Sequence, residues 1–318
     1  MNIFPARLRK ILAVPRALYF NRLHRQLRQY DIIITVCTAE SKGIKLRPHQ
    51  TGICYLQGPP TQYFWGMYDD YVKNPGFGKL NFIVRFFFKL LVGPLRKIDW
   101  KFAQRPIVLV ANSSYSAAET KKYYNRSAQV LFPPVEVDKF TLGSATTASE
   151  EEFFITTSRQ VNWKRLDIAI KACLLSGKRL VLVGDGAEHG ILQQLAGDSP
   201  LIRFIPRIDN PEELNALVSQ AKGFIFPSIE PFGIAPIEAL SAGVPVIALK
   251  QGGALDYIHE GKNGTFFDEQ TVESLVAAMK RFENMTFHKQ QVSASAKNFS
   301  DTRFKQELQR IVDDATSK

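Results

Sequence analysis

GFIFPSIEPFGIAPIEALSAGVPVIA, residues Gly223–Ala248, is the stretch on which the fold turns. Gly223–Phe226 reads as a short buried strand that ends at Pro227, and a loop carrying Glu230 follows. A helix starts near Ala235, with Pro236 in its first turn, where the missing N–H would be unpaired in any case. A second apolar strand, Val244–Ala248, comes directly after Gly243. Neither strand alternates apolar with polar residues, so both faces of the sheet are covered. Strand, helix and strand in this order form the parallel crossover of an α/β domain.

The same rhythm extends upstream. Glu152–Ser158 reads as a strand, 159–164 as a loop and Leu166–Leu175 as a helix. Arg179–Val183 is a strand closing on Gly184-Asp185-Gly186, and a helix over Glu188–Leu195 and a strand at Ile202–Ile205 follow. The first half has two clear strands, Asp31–Val36 and Ile107–Val110, with Gly52–Leu56 a shorter third, which predicts a small sheet there. Thr141–Ser149, small and polar, reads as the linker between two domains. There is no internal repeat or low-complexity segment.

A chain of 318 residues with 45% apolar and 22% charged side chains is an ordinary globular protein of about two domains, not a disordered or fibrous one. Its net charge of +11 is unevenly spread. Residues 1–140 hold 22 Lys and Arg against 8 Asp and Glu, and residues 141–318 hold 19 against 22. The basic half fits an anionic membrane surface better than nucleic acid, because no basic-aromatic recognition motif accompanies the charge. Arg16–Arg28 and Phe82–Trp100 mix cations with aromatic and aliphatic residues, as interfacial helices do. Phe82–Trp100 fits an ordinary core helix equally well. Ile11–Val14 is too short for the core of a signal peptide, and Phe82–Gly93 falls well below the roughly 20 apolar residues of a membrane span. Cys37, Cys54 and Cys173 are widely spaced with no CxxC pair, which argues against a zinc site or a disulfide scaffold and fits a reducing cytoplasm.

The residues with chemistry gather at the carboxyl ends of the predicted strands, where open α/β sheets bind ligands. Glu230 and Glu238, one on the loop and one on the helix, are spaced to face one cleft and to accept hydrogen bonds from the hydroxyls of a sugar. Phe232-Gly233-Ile234 presents backbone amides at the helix N-terminus, a position that favours anions. Arg159 and Lys164 are spaced to hold a diphosphate. Gly252-Gly253, ahead of a helix at Ala254–His259, forms a turn where amides approach a phosphate. Gly184-Asp185-Gly186 is similarly placed but lacks the GxGxxG spacing of a dinucleotide site. The same residues also fit a solvated helix face and ordinary surface cations.

Taken together, SRQVNWKR (Ser158–Arg165), VGDG (Val183–Gly186), PRID (Pro206–Asp209), SIEPFGIAPIEALSAGVPVIA (Ser228–Ala248) and GGALDYIHEGKNGTFF (Gly252–Phe267) resemble the donor half of the GT-B retaining glycosyltransferases of family 4. The likeness is greatest to mannosyltransferases of O-antigen and surface-polysaccharide synthesis. It implies an α/β GT-B fold of two Rossmann-like parallel-sheet domains facing a cleft, with the N-terminal domain truncated. The acceptor domain would span residues 1–143 and the donor domain 150–301, with a helix at 302–318 packing back on the first. Arg159 and Lys164 would grip the departing diphosphate, Glu238 the ribose, and Glu230 with the Phe232–Ile234 backbone the transferred hexose. Ile208 would meet the base through its backbone. Gly184, Gly252 and Gly253 would line the nucleotide.

The resemblance further implies GDP-mannose or another nucleotide sugar as donor, no metal or other cofactor, and a lipid-linked or oligosaccharide acceptor. The chain would then lie peripherally on the inner face of the cell membrane. In the first half, YLQGPPTQYFW (Tyr55–Trp65) is similar to a segment that usually reads Tyr-x-His-x-Pro-x-Arg-Tyr-x-Trp. Gln57 replaces a sugar-contacting His and Gln62 an Arg, and a Gln hydrogen-bonds a hydroxyl but moves no proton. The alternative is a truncated, non-catalytic nucleotide-sugar-binding remnant. A sugar epimerase or dehydrogenase would need a dinucleotide fingerprint or a well-placed Tyr-x-x-x-Lys pair, and neither is present.

Overall fold

The computed structural model describes residues 19–20, 22–37, 39–61, 64–73, 75, 78–143 and 152–317. The chain divides into two compact units, residues 1–132 with 306–318, and residues 133–305. The division falls ahead of the segment read as a linker because the intervening residues are bonded into the second unit. Val135 N–H donates to Phe299 O at 2.8 Å, Thr141 N–H to Asn215 Oδ1 at 3.1 Å, and Phe140 is buried. Residues 144–149 of the expected linker lie outside the described residues, as do Gln62 and most of the basic segment at the chain start.

The first unit carries a four-stranded parallel sheet in the order β1 (Ile32–Cys37), β2 (Thr51–Leu56), β3 (Val108–Ala111), β4 (Gln129–Val130). The two residues of β4 are too short for a sequence pattern, which is why three strands were expected and four are found. Between β2 and β3 runs α1 (Asn81–Ala103), and α2 (Ser114–Tyr124) follows β3. Ser113 starts α2 by accepting a hydrogen bond from Ser116 N–H, and Asn125 ends it in a left-handed conformation at φ 52°. Cys37 and Cys54, distant in sequence, lie on neighbouring strands with Sγ atoms 3.6 Å apart and remain free thiols. The hydrogen bond from Cys54 and the nearby Lys42 charge outweigh the effect of burial and bring Cys37 down to about 6.

The second unit holds a six-stranded, wholly parallel sheet. Its strands and main helices, in chain order, are β5 (Phe153–Thr157), α3 (Leu166–Ser176), β6 (Arg179–Val183), α4 (His189–Ala196), β7 (Ile202–Ile205), α5 (Pro211–Val218), β8 (Gly223–Phe226), α6 (Ile234–Ser241), β9 (Val246–Leu249), β10 (Gly264–Phe267) and α7 (Val272–Glu283). The spatial order is β10-β9-β8-β5-β6-β7. Strands β8 and β9 are buried at every position, as their unbroken apolar runs require. The helix expected at Ala254–His259 is a short 3₁₀ turn over Gly252–Asp256, because the two glycines fold tightly against the Glu230–Phe232 loop. Strand β10 was not anticipated. Among the described residues no helix is long and apolar enough to cross a membrane.

Candidate functional site

Chain order along the second sheet reverses between β5 and β8. The strands after β5 are added on one side of it and those from β8 onward on the other. At such a switch point the two following loops part and leave a crevice at the carboxyl edge. The loop after β5 carries Arg159 and Lys164, and the loop after β8 carries Glu230. Across the crevice the Lys164 ammonium pairs with Glu230 Oε1, both side chains being about six-sevenths buried. Ser228 Oγ donates to the same oxygen at 3.0 Å, and the ammonium also stands 4.5 Å from the centre of the Trp163 ring. The cation read as a diphosphate ligand and the carboxylate read as a sugar ligand are thus each other's partners here. Arg159 is exposed and forms no ion pair among the described residues.

The Arg159 loop is held by a residue the sequence reading passed over. Gln160 is fully buried, donates through Nε2 to Gly184 O at 2.5 Å and meets His189 Nδ1 at 2.6 Å through Oε1. Its backbone N–H donates to Asp185 O and its carbonyl accepts from Glu188 N–H. Gly184, at φ 130°, and Gly186 are needed for this close approach, because a Cβ on either would strike the Ser158 or the Gln160 carbonyl. Gly184 N–H is bonded to Ile205 O at 3.0 Å, so it supplies no amide to a phosphate. This glycine shapes the crevice.

Glu238 sits on the second turn of α6. Its carboxylate accepts no hydrogen bond among the described residues. Burial first, and the Glu136 carboxylate second, push it up to about 7. A half-buried carboxyl with unused acceptors is suited to the paired hydroxyls of a ribose. Gly233, at φ 97°, precedes the helix, and the Gly233 and Ile234 amides have no partner among the described residues. Phe232 is buried and its carbonyl accepts from the Tyr257 hydroxyl at 2.9 Å.

The Gly252-Gly253 turn supports this loop from behind. Gly253 N–H donates to Glu230 O at 2.8 Å, and Cβ atoms here would come within 2.6 Å of Glu230 O and 2.5 Å of Pro231 O. Of the two amides expected at a phosphate, that of Gly253 is already committed to the protein. Ile208 lies half-exposed after β7 in a loop tied down by Asp185, whose Oδ2 accepts from Arg207 N–H at 3.1 Å. In the first unit Gln57 is exposed just beyond β2, with its carbonyl held by Asn112 Nδ2 at 2.8 Å.

The raised Glu238 gives a signed pH effect. Between pH 4.5 and about 7 the folded chain holds this proton more tightly than the unfolded one, so the group's contribution to stability falls as pH rises through that window and is level above it. A ligand that donates two hydroxyls needs the ionised form. Its affinity is therefore expected to rise between pH 6 and 8, and Glu136→Gln should move the midpoint toward acid. Isothermal titration at several pH values checks both expectations.

Two parallel-sheet units of this connectivity define a GT-B fold, and known structures agree. Sucrose-phosphate synthase from Thermosynechococcus elongatus superposes with a TM-score of 0.72 over 99% of this chain and 80% of its own, at 16% identity. Anabaena HepE, solved in complex with UDP, superposes with a TM-score of 0.66 over 94% and 82%, at 18% identity. Residues 139–299, just over half of the chain, match the family model "Glycosyl transferases group 1", and the chain belongs to that family. Similar curated proteins include the GDP-mannose-dependent alpha-(1-6)-phosphatidylinositol monomannoside mannosyltransferase of Mycolicibacterium smegmatis, 29% identical over 52% of this chain and 50% of its own. The alpha-1,3/1,6-mannosyltransferase ALG2 of Dictyostelium discoideum is 25% identical over 64% and 60%. The chain thus spans about half to three-fifths of these relatives' length.

Proposed function

We propose that this chain transfers a hexose, with mannose from GDP-mannose the favoured donor, to a lipid-linked or saccharide acceptor in surface-polysaccharide synthesis. The observation that carries the reading is the Lys164–Glu230 pair across the switch point, in a chain of this family whose following helix starts with amides that have no partner among the described residues and carries Glu238. Two mannosyltransferases among its similar proteins support the choice of sugar. In this reading the diphosphate draws Lys164 from Glu230 and, with Arg159, is neutralised as it departs. Fixed cations then do the work that a divalent ion does elsewhere, so no metal is assigned. Glu230, released, accepts from the hexose hydroxyls beside the Gly233 and Ile234 amides, and Glu238 accepts from the ribose. The acceptor hydroxyl attacks the face from which the nucleotide leaves, so configuration is retained. The basic first unit faces an anionic membrane surface from the inner side.

Thermal unfolding with GDP-mannose and uridine nucleotide sugars tests the donor assignment. The wild type should be protected by GDP-mannose, by about 2.7 kcal/mol at one hundred times Kd, and Glu238→Ala should lose that protection. Equal, negligible shifts in both proteins would overturn the reading. Protection without transfer or donor hydrolysis would select the non-catalytic binding module instead.

A further inference from the structure

We infer that the outward face of α1 is the surface by which this chain seats on a bilayer containing anionic phospholipid. The inference deepens the membrane-facing part of the proposed function and rests on it for the class of partner. Sequence leaves two fates for this helix, and the structure separates them. Val92, Phe102 and Ala103 are buried, together with Asp99, whereas Phe82, Phe86 and Leu90 stand 69%, 66% and 65% exposed along one row. Phe87 and Leu91 are half-exposed in the row beside it. Residues four apart stack on one helix face, so these side chains form a continuous apolar surface about three turns long.

The charges around that surface choose its occupant. Lys89, Lys97 and Lys101 are exposed, and the one acidic residue of the helix, Asp99, is turned inward onto Lys42. Arg85 and Arg96 are engaged by backbone carbonyls, Arg85 on Val72 and Lys73 and Arg96 on Phe64. The free charges that α1 itself turns outward are lysines, and an apolar row followed by lysines complements acyl chains beneath anionic headgroups. Isologous pairing of α1 with its copy would set lysines against lysines, with the one acid of the helix turned inward. Nucleic acid would leave the phenylalanines in water. The apolar rows are far too short to span a bilayer, so the helix lies in the interface.

Co-sedimentation of the full chain with phosphatidylcholine vesicles, with and without phosphatidylglycerol, tests the inference. Binding is expected only to the anionic vesicles and should weaken with salt. Phe86→Ser/Leu90→Ser should weaken it by more than 10-fold, since each lost CH₂ contact counts. Lys97→Ala/Lys101→Ala should weaken it by about 30-fold, at about 5-fold per cation. All four positions are exposed, and unchanged nucleotide-sugar protection would show that both variants are folded with an intact donor crevice. Wild-type binding that neither variant weakens would overturn the assignment to α1 and leave the membrane reading standing. No binding to either vesicle would overturn both. A concentration-dependent dimer abolished by Phe86→Ser/Leu90→Ser would show that a second copy is the occupant and overturn the inference.

Discussion

Lys164→Ala is expected to lower the transfer rate by about 10²–10³-fold, the usual effect of removing one charge-stabilising group from a leaving-group site. The same change leaves Glu230 largely buried with, among the described residues, only the Ser228 hydroxyl donating to its carboxylate. Affinity for the intact donor should therefore fall as well, since an unneutralised carboxylate would stand near the incoming diphosphate. Lys164→Ala/Glu230→Gln removes that second effect. The double variant should recover donor affinity while remaining slow, splitting KM from kcat in steady-state kinetics with GDP-mannose. Equal rates in wild type and Lys164→Ala would remove this lysine from the mechanism.

The second large effect is on stability. Lys42 is 1% and Asp99 6% exposed, their charged atoms 2.7 Å apart. Lys42 also donates to Ala39 O, and Asp99 accepts from Thr61 Oγ1, Trp65 Nε1 and the Tyr124 hydroxyl at 2.6–2.9 Å. Burial, the largest single influence, would depress Lys42, but the Asp99 charge, Tyr124, Cys37 and the hydrogen bond to Asp99 together outweigh it, and the ammonium is held charged well above its ordinary range. Lys42 therefore stays charged through neutral pH, and the stability its raised affinity for the proton contributes is lost as alkali titrates the lysine.

Asp99→Ala removes the counter-charge of Lys42 and the acceptor of three further hydrogen bonds at once. It should destabilise the first unit by about 3–5 kcal/mol, the cost of breaking a buried pair from one side. Lys42→Met/Asp99→Leu, which replaces both charges with apolar volume, should recover much of that loss. Urea unfolding followed by hydrogen exchange on β2 and α1 would measure both. An Asp99→Ala protein as stable as wild type would show the pair to be energetically idle.

Much of the second unit was legible before any coordinates. Arg179–Val183, Ile202–Ile205 and Gly223–Phe226 are strands with the expected ends, and Pro236 lies in the first turn of α6 as read. These elements declare themselves because a strand buried on both faces is an unbroken apolar run with a turn at each end. Strand β10, Gly264–Phe267, escaped because Gly-Thr-Phe-Phe is not an unbroken apolar run. Strand β4 escaped because two residues carry no period. Within the crevice, Glu230, Glu238, Arg159 and Lys164 could be named from spacing. Gln160, Ser228, Glu136 and Tyr257 could not, since a buried glutamine or a second-row hydroxyl has no spacing of its own. Of the two glycine turns, Gly252-Gly253 was read as approaching a phosphate and Gly184 as lining the nucleotide. The structure uses the Gly184 and Gly253 amides, and the space a Cβ would fill, to hold loops together.

Sequence alone settled the parallel α/β class and the family, because each rests on order and spacing along the chain. Tertiary structure alone decided which charges meet. Lys164 and Glu230, 66 positions apart, become partners only because β5 and β8 are neighbours at the switch point. Lys42 and Asp99 become a buried pair only when α1 lies against the 3₁₀ turn Glu40–Gly43 that follows β1. The same packing answers what periodicity could not for Phe82–Trp100. Both faces of α1 are apolar, so no pattern within the helix says which is covered. Asp99, turned inward onto Lys42, determines that Phe82, Phe86 and Leu90 are the ones left outside.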